Sequence, residues 1–168
     1  MGSPQQSPSQ TSGPLFGFAL MFDGSDESVP PDSPGAVRIE GAVIDGDGAP
    51  VAWPECFLEF WHGDQWARTR TDEEGVYRVV VRKPEAETMP DGSVAAPHIN
   101  VALFARGLLK QTLTRLYFPD EEAANASDEV LEAVPAEDRP LLVAARDGDH
   151  LRFDIHLQGE NETPFFAF

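Results

Sequence analysis

The stretch Ala96 to Phe118, APHINVALFARGLLKQTLTRLYF, places the tightest limits on what this chain can fold into. Its first run alternates, so that His98, Asn100, Ala102, Phe104 and Arg106 share one face of a strand while Ile99, Val101, Leu103 and Ala105 share the other. The second face is wholly apolar and belongs in a core. Gly107 breaks the run, and Leu113 to Phe118 resumes it, with Leu113, Arg115 and Tyr117 opposed to Thr112, Thr114, Leu116 and Phe118. Two strands in succession are predicted, and the rest of the chain reads as their support.

Upstream, Val37 to Ile44 has strand character and runs into Asp45-Gly46-Asp47-Gly48, a cluster suited to a tight reversal and hence to a hairpin. Cys56 to Trp61, Trp66 to Thr71 and Val76 to Val81 follow, the last two separated by Asp72-Glu73-Glu74-Gly75. Four strands are thus expected before any helix. Lys83 to Pro97, carrying Pro84, Pro90, Gly92 and Pro97, is longer than most loops of compact domains and is expected to serve function or an interface. Downstream, Asp120 to Ala126 suits one or two helical turns. Ser127 is placed to cap a second short helix bearing Val130, Leu131 and Val134, stopped by Pro135. Leu141 to Ala145 and Leu151 to Leu157 are predicted to pair across Asp147-Gly148-Asp149, and the chain closes on Phe165, Phe166 and Phe168. About eight short strands at even spacing, with little helix, predict an all-β fold: a β-sandwich of mainly antiparallel strands with one or two short helices and an extended N-terminal arm.

The arm and its acidic loop occupy residues 1–35 and the sandwich domain residues 36–168. Met1 to Pro14 is Pro, Ser, Gln and Gly, a composition that builds no core and runs extended. Phe16, Phe18, Leu20 and Phe22 alternate with Leu15, Gly17, Ala19 and Met21, so both sides are apolar and must pack against something. Asp23 to Pro34 is an exposed acidic loop. At 168 residues the chain buries roughly two-thirds of its unfolded surface in one core. The 29 acidic against 12 basic residues, a formal charge of -17, argue against nucleic acid and anionic membranes as partners. They fit either an organism-wide solubility trait or an acidic docking face. Cys56 is the single cysteine, flanked by Phe57 and Leu58, which predicts a small buried hydrophobe and a reducing, cytoplasmic setting. No apolar run approaches the ~20 residues of a membrane span.

Chemistry is scarce. Of His62, His98, His150 and His156, only His98 stands where the pattern bends toward a site; His150 and His156 read as solvent-facing. A His-x-His pair on one strand face would hold a cation, but the second position is Asn100, whose neutral amide is a poor transition-metal ligand. Tyr77 and Tyr117, the only phenols, lie inside strand patterns and read as packing residues. Cys56 is too apolar in setting to be a nucleophile, and neither a G-x-S-x-G elbow nor a phosphate-cradling loop is present. Glu59, Asp64, Glu73 and Glu74 read as solvated charge. On these residues alone the chain has no complete active site.

Five segments in order, Ser7-Pro8-Ser9-Gln10-Thr11-Ser12-Gly13-Pro14, Pro97-His98-Ile99-Asn100-Val101, Phe104-Ala105-Arg106-Gly107, Thr114-Arg115-Leu116-Tyr117-Phe118 and Arg152-Phe153-Asp154-Ile155 to Gln158-Gly159-Glu160, resemble the alpha subunits of the intradiol ring-cleaving protocatechuate 3,4-dioxygenases. Leu58-Glu59-Phe60-Trp61 and Thr71 to Tyr77 match the wider intradiol pattern. The resemblance covers nearly the whole chain. It implies a β-sandwich that pairs with a homologous beta subunit, whose two tyrosines and two histidines bind non-haem Fe(III). Here His98 matches the first histidine of that set and Asn100 replaces the second. The Lys83 to Pro97 loop lacks the expected tyrosine, and His62-Gly63-Asp64-Gln65-Trp66 abbreviates the segment that would carry the other.

The resemblance therefore implies an iron-free subunit whose own catalytic and metal residues are none. It further implies that Thr11, Gly13, Pro14 and Arg106 line the partner's substrate site, where protocatechuate is cleaved with O2 to 3-carboxy-cis,cis-muconate. Leu15 stands where many relatives carry tyrosine. The alternative is a non-enzymatic binding or assembly module that has kept the fold. Without the resemblance, Arg106 reads equally as a surface charge at a strand end.

Overall fold

The computed structural model describes residues 6–167; expectations on Met1 to Gln5 and on Phe168, and on the side chains of Pro14, Phe16 and Gly17, fall outside the described residues. The elements are α1 (Pro14–Leu20), β1 (Ala36–Ile44), β2 (Cys56–His62), β3 (Gln65–Arg70), β4 (Val76–Arg82), β5 (Glu87–Thr88), β6 (Val94–Ala95), β7 (His98–Ala105), β8 (Thr112–Tyr117), α2 (Glu122–Asn125), α3 (Glu129–Ala133), β9 (Ala145–Asp147), β10 (His150–Arg152) and β11 (Ile155–His156). Two sheets face each other. One carries β3, β2, β7 and β8 in that order; the other is built on β1, with β4 on one edge and β10 and β11 in succession along the other, and β9 beyond β10. A separate two-stranded ribbon joins β5 to β6.

The alternation read from the sequence accounts for the core. Ile39, Val43, Val79, Val81, Leu151, Phe153 and Ile155 from the side of the β1 sheet meet Leu58, Phe60, Val101, Leu103 and Leu116 from the sheet of β2, β7 and β8, all essentially out of water. Burying large aliphatic side chains contributes roughly 1.5–3 kcal/mol each, so this apolar layer is the main favourable term holding the sandwich. A smaller cluster of Ala96, Tyr117, Leu131, Val134 and Leu142 seals α3 against the end of β8. Pairing is antiparallel for β1 with β4, β2 with β3 and β7, and β7 with β8, whereas β1 meets β10 and β11 in parallel.

Several expectations are corrected. The arm is not extended throughout: Pro14 opens a seven-residue helix, so a helix precedes every strand. Proline suits a first helical turn because its missing N–H has no partner there in any case. The Asp45–Gly48 turn does not join two neighbouring strands. It closes only an isolated bridge between Ile44 and Pro50, and β1 and β2 lie in different sheets. The Lys83 to Pro97 connection contains the β5–β6 ribbon. Asp128, not Ser127, caps α3: its carboxylate accepts from Leu131 N at 2.8 Å, while the Ser127 hydroxyl donates back to the Ala124 carbonyl at 3.1 Å. Leu141 lies in a short 3-10 turn over Arg139–Leu142, so the hairpin across Gly148 is confined to β9 and β10. His150 and His156 are half-buried, not solvent-facing. No helix among the described residues is long and apolar enough to cross a membrane.

Candidate functional site

Strand register decides what surrounds His98. On β7 it pairs with Tyr117 of β8, and Asn100 stands between Arg115 of β8 and Trp61 of β2. The ring centroid of His62, at the end of β2, lies 5.0 Å from that of His98, with the two rings nearly perpendicular. With the β5–β6 ribbon above, Trp61, His62, His98, Asn100 and Arg115 line a cavity of about 440 Å³.

His98 is only 4 % exposed, and its Nδ1 lies 2.8 Å from the Ala96 carbonyl. A carbonyl can only accept, so Nδ1 carries the proton. Burial, assisted by the charge of Arg115 and by His62, outweighs that hydrogen bond and pulls the imidazole down to about 4. The ring is therefore neutral near pH 7, with Nε2 left as its acceptor.

The residues present do not fit a ferric centre. Asn100 offers an amide, whose nitrogen makes a long 3.4 Å contact with the Trp61 carbonyl. Tyr117 donates its hydroxyl to Asp128 at 2.9 Å, and Tyr77 donates to the Phe153 carbonyl at 2.5 Å. Burial raises both phenols well above their ordinary range, which opposes a phenolate ligand. Among the described residues no group of three or more His, Cys, Asp and Glu could hold a metal ion. Nucleophilic chemistry is equally disfavoured: burial pushes the Cys56 thiol up to about 12.

The other place where predicted site residues gather is the turn after β7. Gly107 takes a positive φ of 95°, and its N–H donates to the Thr11 hydroxyl oxygen at 2.8 Å, while that hydroxyl faces the Ala105 carbonyl at 3.5 Å. The arm is thereby stapled to the turn at the end of β7. A groove of about 350 Å³ results, lined by Thr11, Gly13, Phe104, Leu108 and Lys110 among others. Thr11 and Gly13 are thus brought beside the residues flanking Arg106. The Arg106 side chain itself is 68 % exposed, outside that groove, with Nη1 2.5 Å from Glu55 Oε1. The side chain of Pro14 lies outside the described residues.

A second anchor was not anticipated from the sequence. Arg68 donates through Nε at 2.9 Å and Nη2 at 2.6 Å to Glu59 Oε1, and through Nη1 at 2.9 Å to the Leu20 carbonyl at the end of α1. Its guanidinium also lies 4.6 Å above the Trp66 ring. Between the two anchors, α1 and its exit present Leu15, Phe18 and Phe22 largely to solvent, at 80 %, 57 % and 60 % exposure. Phe18 meets Trp53 in a T-shaped contact at 4.9 Å, and Phe22 stacks at 6.4 Å on Trp66. Three large apolar side chains so exposed, in one segment held at both ends, have the character of an interface.

Comparison with known proteins places this geometry. The chain is 38% identical to the protocatechuate 3,4-dioxygenase alpha chain of Burkholderia cepacia, across 99% of this chain and 99% of that one. It is 37% identical to the alpha chain of the same name from Pseudomonas putida, across 97% and 96%. Among solved structures it matches the dioxygenase domain of a dioxygenase carbohydrate-binding protein fusion from Streptomyces sp. SirexAA-E with a TM-score of 0.60 at 20% identity, covering 94% of this chain and 100% of that one. It matches hydroxyquinol 1,2-dioxygenase of Pseudomonas putida DLL-E4 with a TM-score of 0.59 at 17% identity, covering 90% and 67%. These likenesses concern the fold. No protein-family profile matches the chain.

Proposed function

The chain belongs to the protocatechuate 3,4-dioxygenase alpha chains, a family of intradiol dioxygenase subunits, and from that premise we propose that it works as the iron-free partner of a homologous beta subunit. The observation that carries this reading is the near-full-length identity to alpha chains in a chain whose His98 strand offers no ferric ligand set. The iron, held by the beta subunit, supplies Lewis acidity for intradiol cleavage of protocatechuate by O2 to 3-carboxy-cis,cis-muconate. This chain's part is to shape the site. Thr11, Gly13 and Pro14 form one wall of the partner's pocket. Thr11 holds that wall in place through its contact with Gly107. Arg106 turns from Glu55 toward the carboxylate of the substrate, where a guanidinium binds in bidentate fashion. The exposed Leu15 and Phe18 are covered by the beta subunit, and the setting is cytoplasmic, in keeping with a free buried thiol.

Co-expression with the cognate beta subunit tests the reading. A stable complex with iron and ring-cleaving activity is expected, with neither tightly bound iron nor activity in this chain alone. Iron held by the isolated chain, full activity of the beta subunit alone, or indifference of the two chains to each other would overturn it. In the complex, Arg106→Ala is expected to raise KM or lower kcat about tenfold or more while assembly persists; unchanged kinetics would return Arg106 to a surface charge paired with Glu55.

A further inference from the structure

We propose that the cavity under the β5–β6 ribbon is itself a binding site, for a small hydroxylated monocarboxylate with a flat apolar body. The inference uses only this chain's own residues and is independent of the role given to the arm.

Its first support is Arg115. This half-buried guanidinium lines the cavity and, among the described residues, has no carboxylate partner; its one polar contact there is the Tyr117 hydroxyl at 3.5 Å, and Nε is shielded from solvent without an acceptor. Asp128, which lines the same cavity, is engaged elsewhere. Its Oδ1 accepts from the Tyr117 hydroxyl at 2.9 Å and Leu131 N at 2.8 Å, and its Oδ2 accepts from Ala96 N at 2.8 Å. A chain with 29 acidic side chains against 12 basic ones has left a partly buried cation free to take an acceptor from outside. A carboxylate meets a guanidinium's planar fork in two parallel hydrogen bonds.

The second support is the neutral end of the cavity. His98 lines the cavity with Nδ1 fixed on Ala96, which leaves Nε2 as an acceptor available to a hydroxyl. Asn100 adds an amide on the same strand face, and His62 Nδ1 is also buried without a partner. Trp61, Met89 and Val94 supply apolar wall, and about 440 Å³ lies within the range of roughly 300–1,000 Å³ typical of small-ligand sites. The exposed rim carries Glu87, Asp91 and Glu129, whose charges disfavour multiply charged anions such as phosphate. One negative charge can be matched by Arg115, and each further charge meets rim repulsion with no second cation among the described lining residues to offset it.

Calorimetric titration of the assembled protein with 4-hydroxybenzoate tests this. Wild type is expected to bind one equivalent per copy of this chain that disappears in Arg115→Met, whatever other sites the assembly holds. Arg115→Lys, which keeps the charge but not the fork, is expected to weaken that equivalent about tenfold. Benzoate, lacking the hydroxyl, should bind it more weakly, and inorganic phosphate should not compete. Should Arg115→Met fail to assemble, Asn100→Leu is expected to lose the same equivalent. Equal stoichiometry in wild type and these variants, or competition by phosphate at the affinity of the organic probe, would overturn the proposal.

Discussion

At the scale of single residues, the narrowest point of the fold is Gly41 in the middle of β1. A Cβ built there would lie 1.8 Å from the Phe153 carbonyl oxygen and 2.7 Å from the Tyr77 hydroxyl. These are backbone and a fully buried ring, neither free to move. Gly41→Ala is expected to destabilise the protein by about 4 kcal/mol or more, visible as loss of soluble protein or a collapse of the urea midpoint; a variant within about 1 kcal/mol of wild type would show that β1 and the segment after β10 slide past each other. His98 offers a second check. Its folded value near 4 lies below its ordinary 6.5, so the unfolded chain binds the proton first as pH falls. The stability it contributes is present above pH 6.5 and lost as pH drops from there toward 4, about 3 kcal/mol in full. Titration of the ring by NMR should show it neutral through pH 5, and His98→Gln should flatten the acid loss by that amount; a ring that titrates near 6.5 would refute the burial account. The sequence exposed this histidine and the substitution at Asn100, because strand alternation alone put them on one face. It did not reveal that His62 and Arg115 stand beside them, because those neighbours arrive from other strands.

At the scale of elements, the arm is governed by the β2–β3 hairpin. The short turn after His62 pairs His62 with Gln65, and counting back along both strands sets Glu59 opposite Arg68. From the sequence alone Glu59 reads as solvated charge, and the register of the hairpin corrects it by setting Arg68 beside it and Leu20 within reach of the guanidinium. The two side chains are 21% and 16% exposed, so removing one leaves the other charge poorly solvated. Arg68→Met is expected to cost roughly 1–3 kcal/mol and to make the segment before β1 sensitive to limited proteolysis. The double variant Arg68→Met with Glu59→Gln should recover most of the stability while the arm stays sensitive. Recovery of both would mean that Arg68 braces the sheet and not the arm. The helix α1 escaped the sequence reading for a related reason. Over seven residues an apolar alternation and a helical stripe look alike, and Pro14 together with packing onto Trp53 and Trp66 decides between them.

At the scale of the whole molecule, a formal charge of -17 acts on everything at once. Even with every basic side chain paired the excess of acidic groups stays uncompensated, and like charges repel across distances comparable to the screening length, about 10 Å at 0.1 M salt. Raising sodium chloride from about 0.05 M to 0.5 M is expected to raise the melting temperature of the protein measured by calorimetry; a flat or falling response would overturn the view that self-repulsion of the acids destabilises the fold. What the sequence determined by itself was local: which residues alternate, where glycine permits a reversal, that the metal-bearing pattern is broken at Asn100, and that the chain resembles the alpha subunits. Those properties depend on side-chain chemistry and on spacings of a few residues. Tertiary structure alone decided that β1 pairs in parallel with β10 and β11, more than a hundred residues away, instead of with its successor. It also decided that Thr11 is stapled to Gly107, and that Arg115 is left unpaired because Asp128 is spent on Ala96, Leu131 and Tyr117. Such contacts join residues distant in the chain, and their partners are chosen by how whole sheets pack, which no local pattern encodes.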